Sequence, residues 1–158
     1  QLFRKSPEAV ITSDEHAVLV EEQDYRPVKL LDRGQRFQKH AFDLIGDMNG
    51  EELECAQRID GHENVARWIR NADHASRGGF SLPKSPGQFF PDFIVELKDG
   101  RIALVEYKMG KLASDPEEQH KRAVGELWAD RSGGRCGFAW VVERDWGTLA
   151  ARLAGHLT

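Results

Sequence analysis

The spacing of hydrophobic positions changes along the chain, and each change marks an element. Between residues 51 and 59, Glu52, Cys55, Ala56 and Ile59 recur three and four apart, which puts them on one helical face. Gly61 ends that helix. Residues 65–70 alternate instead, Val65, Arg67 and Ile69 against Ala66, Trp68 and Arg70, which predicts a strand apolar on both faces. Residues 89–97 and 101–108 are dense in Phe, Val, Ile and Leu, and Lys98-Asp99-Gly100 between them predicts a hairpin. Asp115-Pro116-Glu117-Glu118 opens a second helix: aspartate caps, proline suits the first turn, and Glu118 completes a capping box. That helix runs to Asp130 and stops at Gly133-Gly134. Residues 136–142 read as a buried strand, and residues 148–157 as a short helix with Leu149, Leu153 and Leu157 four apart.

From Glu51 the order is therefore helix, three strands, helix, strand. The hairpin connection is too short for a crossover, so its strands are antiparallel. Strands apolar on both faces call for helices on both sides, which predicts an α/β (α+β) fold with a mixed sheet. The first 48 residues read as an extension with short strands, at Ala17-Val18-Leu19-Val20 and Val28-Lys29-Leu30-Leu31, while residues 36–42 fit strand or helix. Residues 49–158 form the main unit, and residues 71–88 are the most loop-like stretch.

At 158 residues, one domain with a useful core is expected, and 40% hydrophobic content is too high for a disordered segment. No apolar run approaches the roughly 20 residues that span a bilayer. Cys55 and Cys136 are the only cysteines, which argues against a disulfide framework and fits a cytoplasmic setting. The chain begins Gln1-Leu2-Phe3-Arg4-Lys5, with no initiator methionine and no signal pattern, and reads as a piece of a longer protein. With 22 basic and 26 acidic side chains, bulk charge gives no argument for nucleic acid.

Candidate chemistry gathers at the open end of the hairpin. Asp92 begins one strand, and Glu106 and Lys108 end the next, sharing a face because side chains alternate. A two-residue turn at Asp99-Gly100 would set Asp92 opposite Tyr107 and send the carboxylates to opposite faces. A three-residue loop, Lys98-Asp99-Gly100, pairs Leu97 with Arg101 and so Asp92 with Glu106; it wants glycine where Gly100 stands. In that register Ile94, Ile102 and Leu104 lie on the same face as the polar groups. Two hard oxygen ligands and an ammonium at one point suit Mg²⁺, with Mn²⁺ as substitute. Such an ion polarises a phosphoryl oxygen and lowers the pKa of a bound water, while a lysine stabilises charge on the phosphate.

Pro91-Asp92 followed by Glu106-Tyr107-Lys108 resembles the PD-(D/E)xK nuclease motif, and the element order resembles the αβββαβ core of restriction-endonuclease-like folds. Phe89-Phe90-Pro91-Asp92-Phe93-Ile94-Val95, Val105-Glu106-Tyr107-Lys108, Ala123-Val124-Gly125-Glu126-Leu127-Trp128 and Trp68-Ile69-Arg70-Asn71 look similar to the C-terminal nuclease region of type III, helicase-linked restriction subunits. The resemblance spans residues 37–142. It implies metal-dependent hydrolysis of DNA phosphodiester bonds, with Asp92 and Glu106 as metal ligands and Lys108 near the attacking water. It also implies an upstream helicase or ATPase domain and a catalytic glutamate from the first helix. Glu52 matches best, with Glu51 and Glu54 as alternatives. The carbonyl of Tyr107 is expected to complete the metal site. Lys84, Lys111, Lys121 and Arg70 are the expected nucleic-acid contacts, with Lys39, Arg67 and Arg77 as further candidates for a basic rim.

Plainer readings stand beside these. A carboxylate and a lysine two apart at a strand end are usually a solvated ion pair. Gln119 could face the site from the second helix, although a solvated helix face is the plainer reading. His40, His62, His74 and His120 lack ligand spacing and are read as surface or loop residues, and Trp68, Trp128 and Trp140 as core. The competing functional class is a nuclease-fold module that binds DNA or protein and has lost cleavage. A serine or cysteine hydrolase has no Gly-x-Ser-x-Gly elbow to support it, and no phosphate loop of the Walker type is present.

Overall fold

The computed structural model describes residues 3–4, 16–32 and 34–155. In chain order the elements are β1 (Phe3–Arg4), β2 (Val20–Glu21), α1 (Gly50–Gly61), β3 (Val65–Arg70), β4 (Leu82–Pro83), β5 (Gln88–Phe89), β6 (Phe93–Leu97), β7 (Ile102–Lys108), α2 (Gly110–Ala113), α3 (Pro116–Asp130), β8 (Cys136–Val142) and α4 (Trp146–Leu153). The main sheet has the order β3-β6-β7-β8; its first two pairings are antiparallel and β7-β8 is parallel, with α3 as the crossover. The expected mixed sheet flanked by helices is present.

Each sheet face has its own cover. Cys55, Ala56 and Ile59 of α1 and Leu149 and Leu153 of α4 pack with Val65, Phe93, Val95, Val105 and Tyr107 on one face. On the other, Trp128 and Ala129 of α3 pack with Ile69, Ile94, Leu104, Phe138 and Trp140. Trp68, Trp128 and Trp140 are buried, as core residues should be. Gly125 lets α3 lie close on the sheet, because a Cβ there would stand 2.5 Å from the Phe138 ring.

The hairpin takes the three-residue loop. Val105 lies opposite Phe93 and Ile102 opposite Glu96, Leu97 N–H donates to the Arg101 carbonyl at 2.9 Å, and Gly100 has φ +89°. The same register carried one step outward sets Asp92 across from Glu106.

Several elements depart from the sequence pattern. Residues 89–97 are not one strand: β5 pairs with β4, and β6 starts only after Pro91, which has no N–H for a ladder. Residues 28–31 form no strand beyond an isolated bridge from Leu30 to Gly46, and Val28 is 73% exposed. Residues 36–42 are neither strand nor helix. They run along the edge of β3, where Ala41 N–H donates to the Trp68 carbonyl at 2.9 Å and Trp68 N–H to that of Lys39 at 3.1 Å. The last helix begins at Trp146 behind Asp145, whose carboxylate caps Thr148 N–H, and ends at Leu153; residues 156–158 lie outside the described residues. Among the described residues, no helix is long and apolar enough to cross a membrane. Both cysteines are buried and unbridged.

Candidate functional site

Asp92 and Glu106 hold each other across the hairpin end. Asp92 N–H donates to Glu106 Oε1 at 3.0 Å, and Tyr107 N–H donates to Asp92 Oδ2 at 2.8 Å. In this register the residue opposite Tyr107 is Pro91, which has no N–H, so the Tyr107 carbonyl gets no ladder donor from it. Pro91 thus ends the β6–β7 pairing, while on the other side the Asp92 carbonyl still accepts the Asn71 N–H at 2.9 Å. The Pro91 carbonyl is itself taken by the Asn71 side-chain amide at 2.9 Å.

Two cations flank the carboxylates. Lys108 Nζ lies 3.0 Å from Glu106 Oε2 and 2.6 Å from Glu118 Oε2. Arg70, at the end of β3, reaches Asp92 Oδ1 at 2.9 Å and Glu52 Oε2 at 3.0 Å. Glu52 accepts the Asn49 N–H at 2.9 Å with its other oxygen, closing a capping box at the start of α1. Glu52, Arg70, Asp92, Glu106, Lys108, Glu118 and Lys121 therefore form one chain of charges across β3, the residue before β6, β7 and two helices.

The electrostatics follow from burial. Glu106 is driven well above the usual carboxylate range, first by desolvation and then by the charge on Asp92; Lys108 opposes the shift without cancelling it. Glu52 is also raised, by burial and by Asp92, against Arg70. Burial pulls Lys108 down, but Glu106 and Glu118 outweigh it and hold the group an ammonium. Desolvation would raise Glu118, yet hydrogen bonds from Lys108 and Lys121 keep it below its ordinary value. Burial, with Asp92 and Glu52 nearby, pushes the Cys55 thiol up, which makes it a poor nucleophile.

Of the expected site residues, Asp92, Glu106, Tyr107 and Lys108 meet at one point, and Glu52 joins them through Arg70. Glu51 accepts instead from the Tyr107 hydroxyl, on the other face of the sheet, and Glu54 pairs with Arg144 at 2.6 Å. Glu118 was legible only as a box residue, but its carboxylate turns onto Lys108 and Lys121. Its place on the crossover helix after β7, three residues before Lys121, was the available signal.

The expected nucleic-acid contacts are differently occupied. Arg70 is taken up inside the site, and Lys84 pairs with Glu117 and donates to the Pro86 carbonyl. Lys121 leans on Glu118 at 3.1 Å, whereas Lys111 is exposed on α2. Lys39 Nζ donates to the His62 carbonyl, Arg67 pairs with Glu96, and Gln119 donates to the Ala113 carbonyl.

His40 lies in an irregular segment, as the surface-or-loop reading allowed, and is packed and hydrogen-bonded there. Its ring meets Trp68 edge-on at 4.8 Å, its Nε2 accepts the Arg70 N–H and its Nδ1 bonds the Phe42 carbonyl. Burial lowers it from 6.5 to about 4, so it is a neutral anchor for the segment along β3.

Among the described residues, no group of three or more His, Cys, Asp or Glu side chains is disposed to hold a metal ion. A hard ion that keeps most of its waters needs fewer protein ligands, and the two carboxylates and the Tyr107 carbonyl are donors of the right kind. Compared with known proteins, the chain matches no family model, no curated protein and no solved structure.

Proposed function

We propose that the chain carries a Mg²⁺-dependent endonuclease site of the PD-(D/E)xK, restriction-endonuclease-like kind, hydrolysing DNA phosphodiester bonds as part of a longer helicase-linked protein. One observation carries the reading: Asp92 and Glu106 stand side by side at the end of a hairpin, next to a half-buried ammonium and a carbonyl facing proline. Burial first, and then the charge of Asp92 beside it, drive Glu106 up, and a hard cation between the two carboxylates would relieve the repulsive part.

Asp92, Glu106 and the Tyr107 carbonyl would hold the ion. When bound, it supplies Lewis acidity toward a phosphoryl oxygen. Lys108 stays charged between Glu106 and Glu118, so it donates hydrogen bonds and does not take a proton. Its part is to orient the attacking water or to stabilise negative charge developing on the phosphate. Glu118 fixes where that charge sits.

A second reading, a binding module without cleavage, is favoured by one fact. Each oxygen of Asp92 and of Glu106 already faces a donor or cation of the chain itself. Calorimetric Mn²⁺ titration beside single-turnover DNA cleavage separates the two. Asp92→Asn should lose ion binding and cleavage together. Lys108→Ala should keep the ion yet cut about 10²–10³-fold more slowly, the scale for removing one electrostatic stabiliser. Ion binding unchanged by Asp92→Asn would remove the site from the hairpin, and full-rate cutting by Lys108→Ala would make the lysine an ordinary strand-end charge.

A further inference from the structure

Arg70 is held by more acceptors than an ordinary ion pair needs. Its Nη1 meets Asp92 Oδ1 at 2.9 Å and the Asp92 carbonyl at 3.3 Å, its Nη2 meets Glu52 Oε2 at 3.0 Å, and its Nε meets the Asp47 carbonyl at 3.1 Å. The guanidinium also lies over the Phe93 ring, 5.4 Å from its centre. It ties α1, β6 and the segment before α1 together at the hairpin end.

Asp92 has two oxygens. Tyr107 N–H holds Oδ2, and Arg70 holds Oδ1. Glu52 is likewise fully engaged, by Asn49 N–H on one oxygen and Arg70 on the other. Glu52 therefore holds Arg70 as well as closing the capping box. Three carboxylates, Glu52, Asp92 and Glu106, are compensated from within by Arg70 and Lys108, which leaves the five groups one charge short of neutral.

We propose that Arg70 is the resident counter-cation of this cluster, and that a divalent ion reaches Asp92 only in competition with its guanidinium. The inference rests on the metal-site reading above. Arg70 lets the three carboxylates stay packed without an ion, and the same contacts weaken ion binding. The two effects are one coupling free energy, because a ligand that needs Asp92 Oδ1 competes with Arg70 for that oxygen. A planar fork spans Glu52 and Asp92 together, whereas a lysine ammonium at this position could serve only one of them.

The test is calorimetric Mn²⁺ titration with thermal unfolding of the whole chain, run on wild type, Arg70→Gln, Arg70→Lys and Arg122→Gln. Arg70→Gln should bind Mn²⁺ at least ~10-fold more tightly than wild type, within the usual range of couplings between sites. It should also melt lower without the ion and gain more from adding it. Arg70→Lys should fall between the two. Arg122→Gln removes the same charge from an exposed pair with Glu126 and should leave affinity within ~2-fold, since solvent screens it. If wild type binds Mn²⁺ through Asp92 and neither Arg70 variant binds more tightly, the competition is overturned and the metal site stands. If neither wild type nor the Arg70 variants bind, the metal site falls and the competition with it. Should Arg70→Gln fail to fold even with Mn²⁺, the affinity of Arg70→Lys against wild type decides the matter alone.

Discussion

The β6–β7 hairpin carries the same sequence device at both ends, an acid followed two residues later by a base. At the turn, Asp99 and Arg101 pair at 2.6 Å with 52% and 32% of their side chains exposed. At the open end, Glu106 and Lys108 pair at 3.0 Å with 4% and 14% exposed. Spacing alone gives no way to tell them apart. The difference comes from what covers them: the turn projects into solvent, while α3 brings Glu118 over Lys108 and the register brings Asp92 against Glu106. The first pair is local surface chemistry, and the second is part of a network that must be satisfied as a whole.

Removing one partner at each end should separate them most. Lys108→Met leaves Glu106 buried beside Asp92 without its cation and should cost about 3–5 kcal/mol in urea unfolding. Equal losses from Lys108→Met and Arg101→Met would erase the distinction.

Acid should act with opposite sign at the two ends. Glu106 is held above its ordinary value of 4.5 by burial and by Asp92, so its charged form costs stability at neutral pH, and native protein recovers some as pH falls through the raised value. The Arg101 side chain holds Asp99 below its ordinary 3.8, so its contribution is present above that value and is lost below it. Melting temperature against pH, compared with Glu106→Gln and Asp99→Asn, reads both signs. His40 must be subtracted. Being lowered from 6.5 to about 4, it contributes stability above pH 6.5 that is lost toward pH 4, on the order of 3 kcal/mol, and His40→Gln should flatten that fall.

At the turn, backbone should matter more than charge. Gly100 has φ +89° and open space where a Cβ would stand, so Gly100→Val should cost about 1–2 kcal/mol from backbone strain alone. Arg101→Ala should cost under ~1 kcal/mol by the same denaturation measurement. A larger loss from Arg101→Ala would show that the turn pair belongs to a wider network.

What could be read from the sequence was what depends on neighbours along the chain. Gly100 at the third loop position settled which of two registers holds, and with it the meeting of Asp92 and Glu106. The periodicity of α1 and the Asp115-Pro116 start of α3 were also local signals, and both helices are where that pattern put them. Pro91 was an available signal for the break before β6, because it cannot donate to a ladder. Other features depend on tertiary partners. The apolar run at 28–31 makes only a short bridge to residues 45–47 and leaves Val28 and Leu30 exposed, whereas residues 39–41 found the edge of β3. Arg70 had the look of a rim cation, but two carboxylates, Glu52 of α1 and Asp92 just before β6, draw it inward. Glu118 fits a capping box by spacing, and the half-buried ammonium of Lys108 competes for it and wins.

The proposed role of Asp92 and Glu106 in metal-dependent cleavage of DNA is open to direct assay. The most direct measurement is conversion of supercoiled plasmid by the whole chain in Mg²⁺ or Mn²⁺, with Asp92→Asn run beside it. Cutting by wild type that needs the ion and disappears in Asp92→Asn is the predicted result. No cutting by the wild-type chain in either ion, or cutting by Asp92→Asn at the wild-type rate, would contradict it.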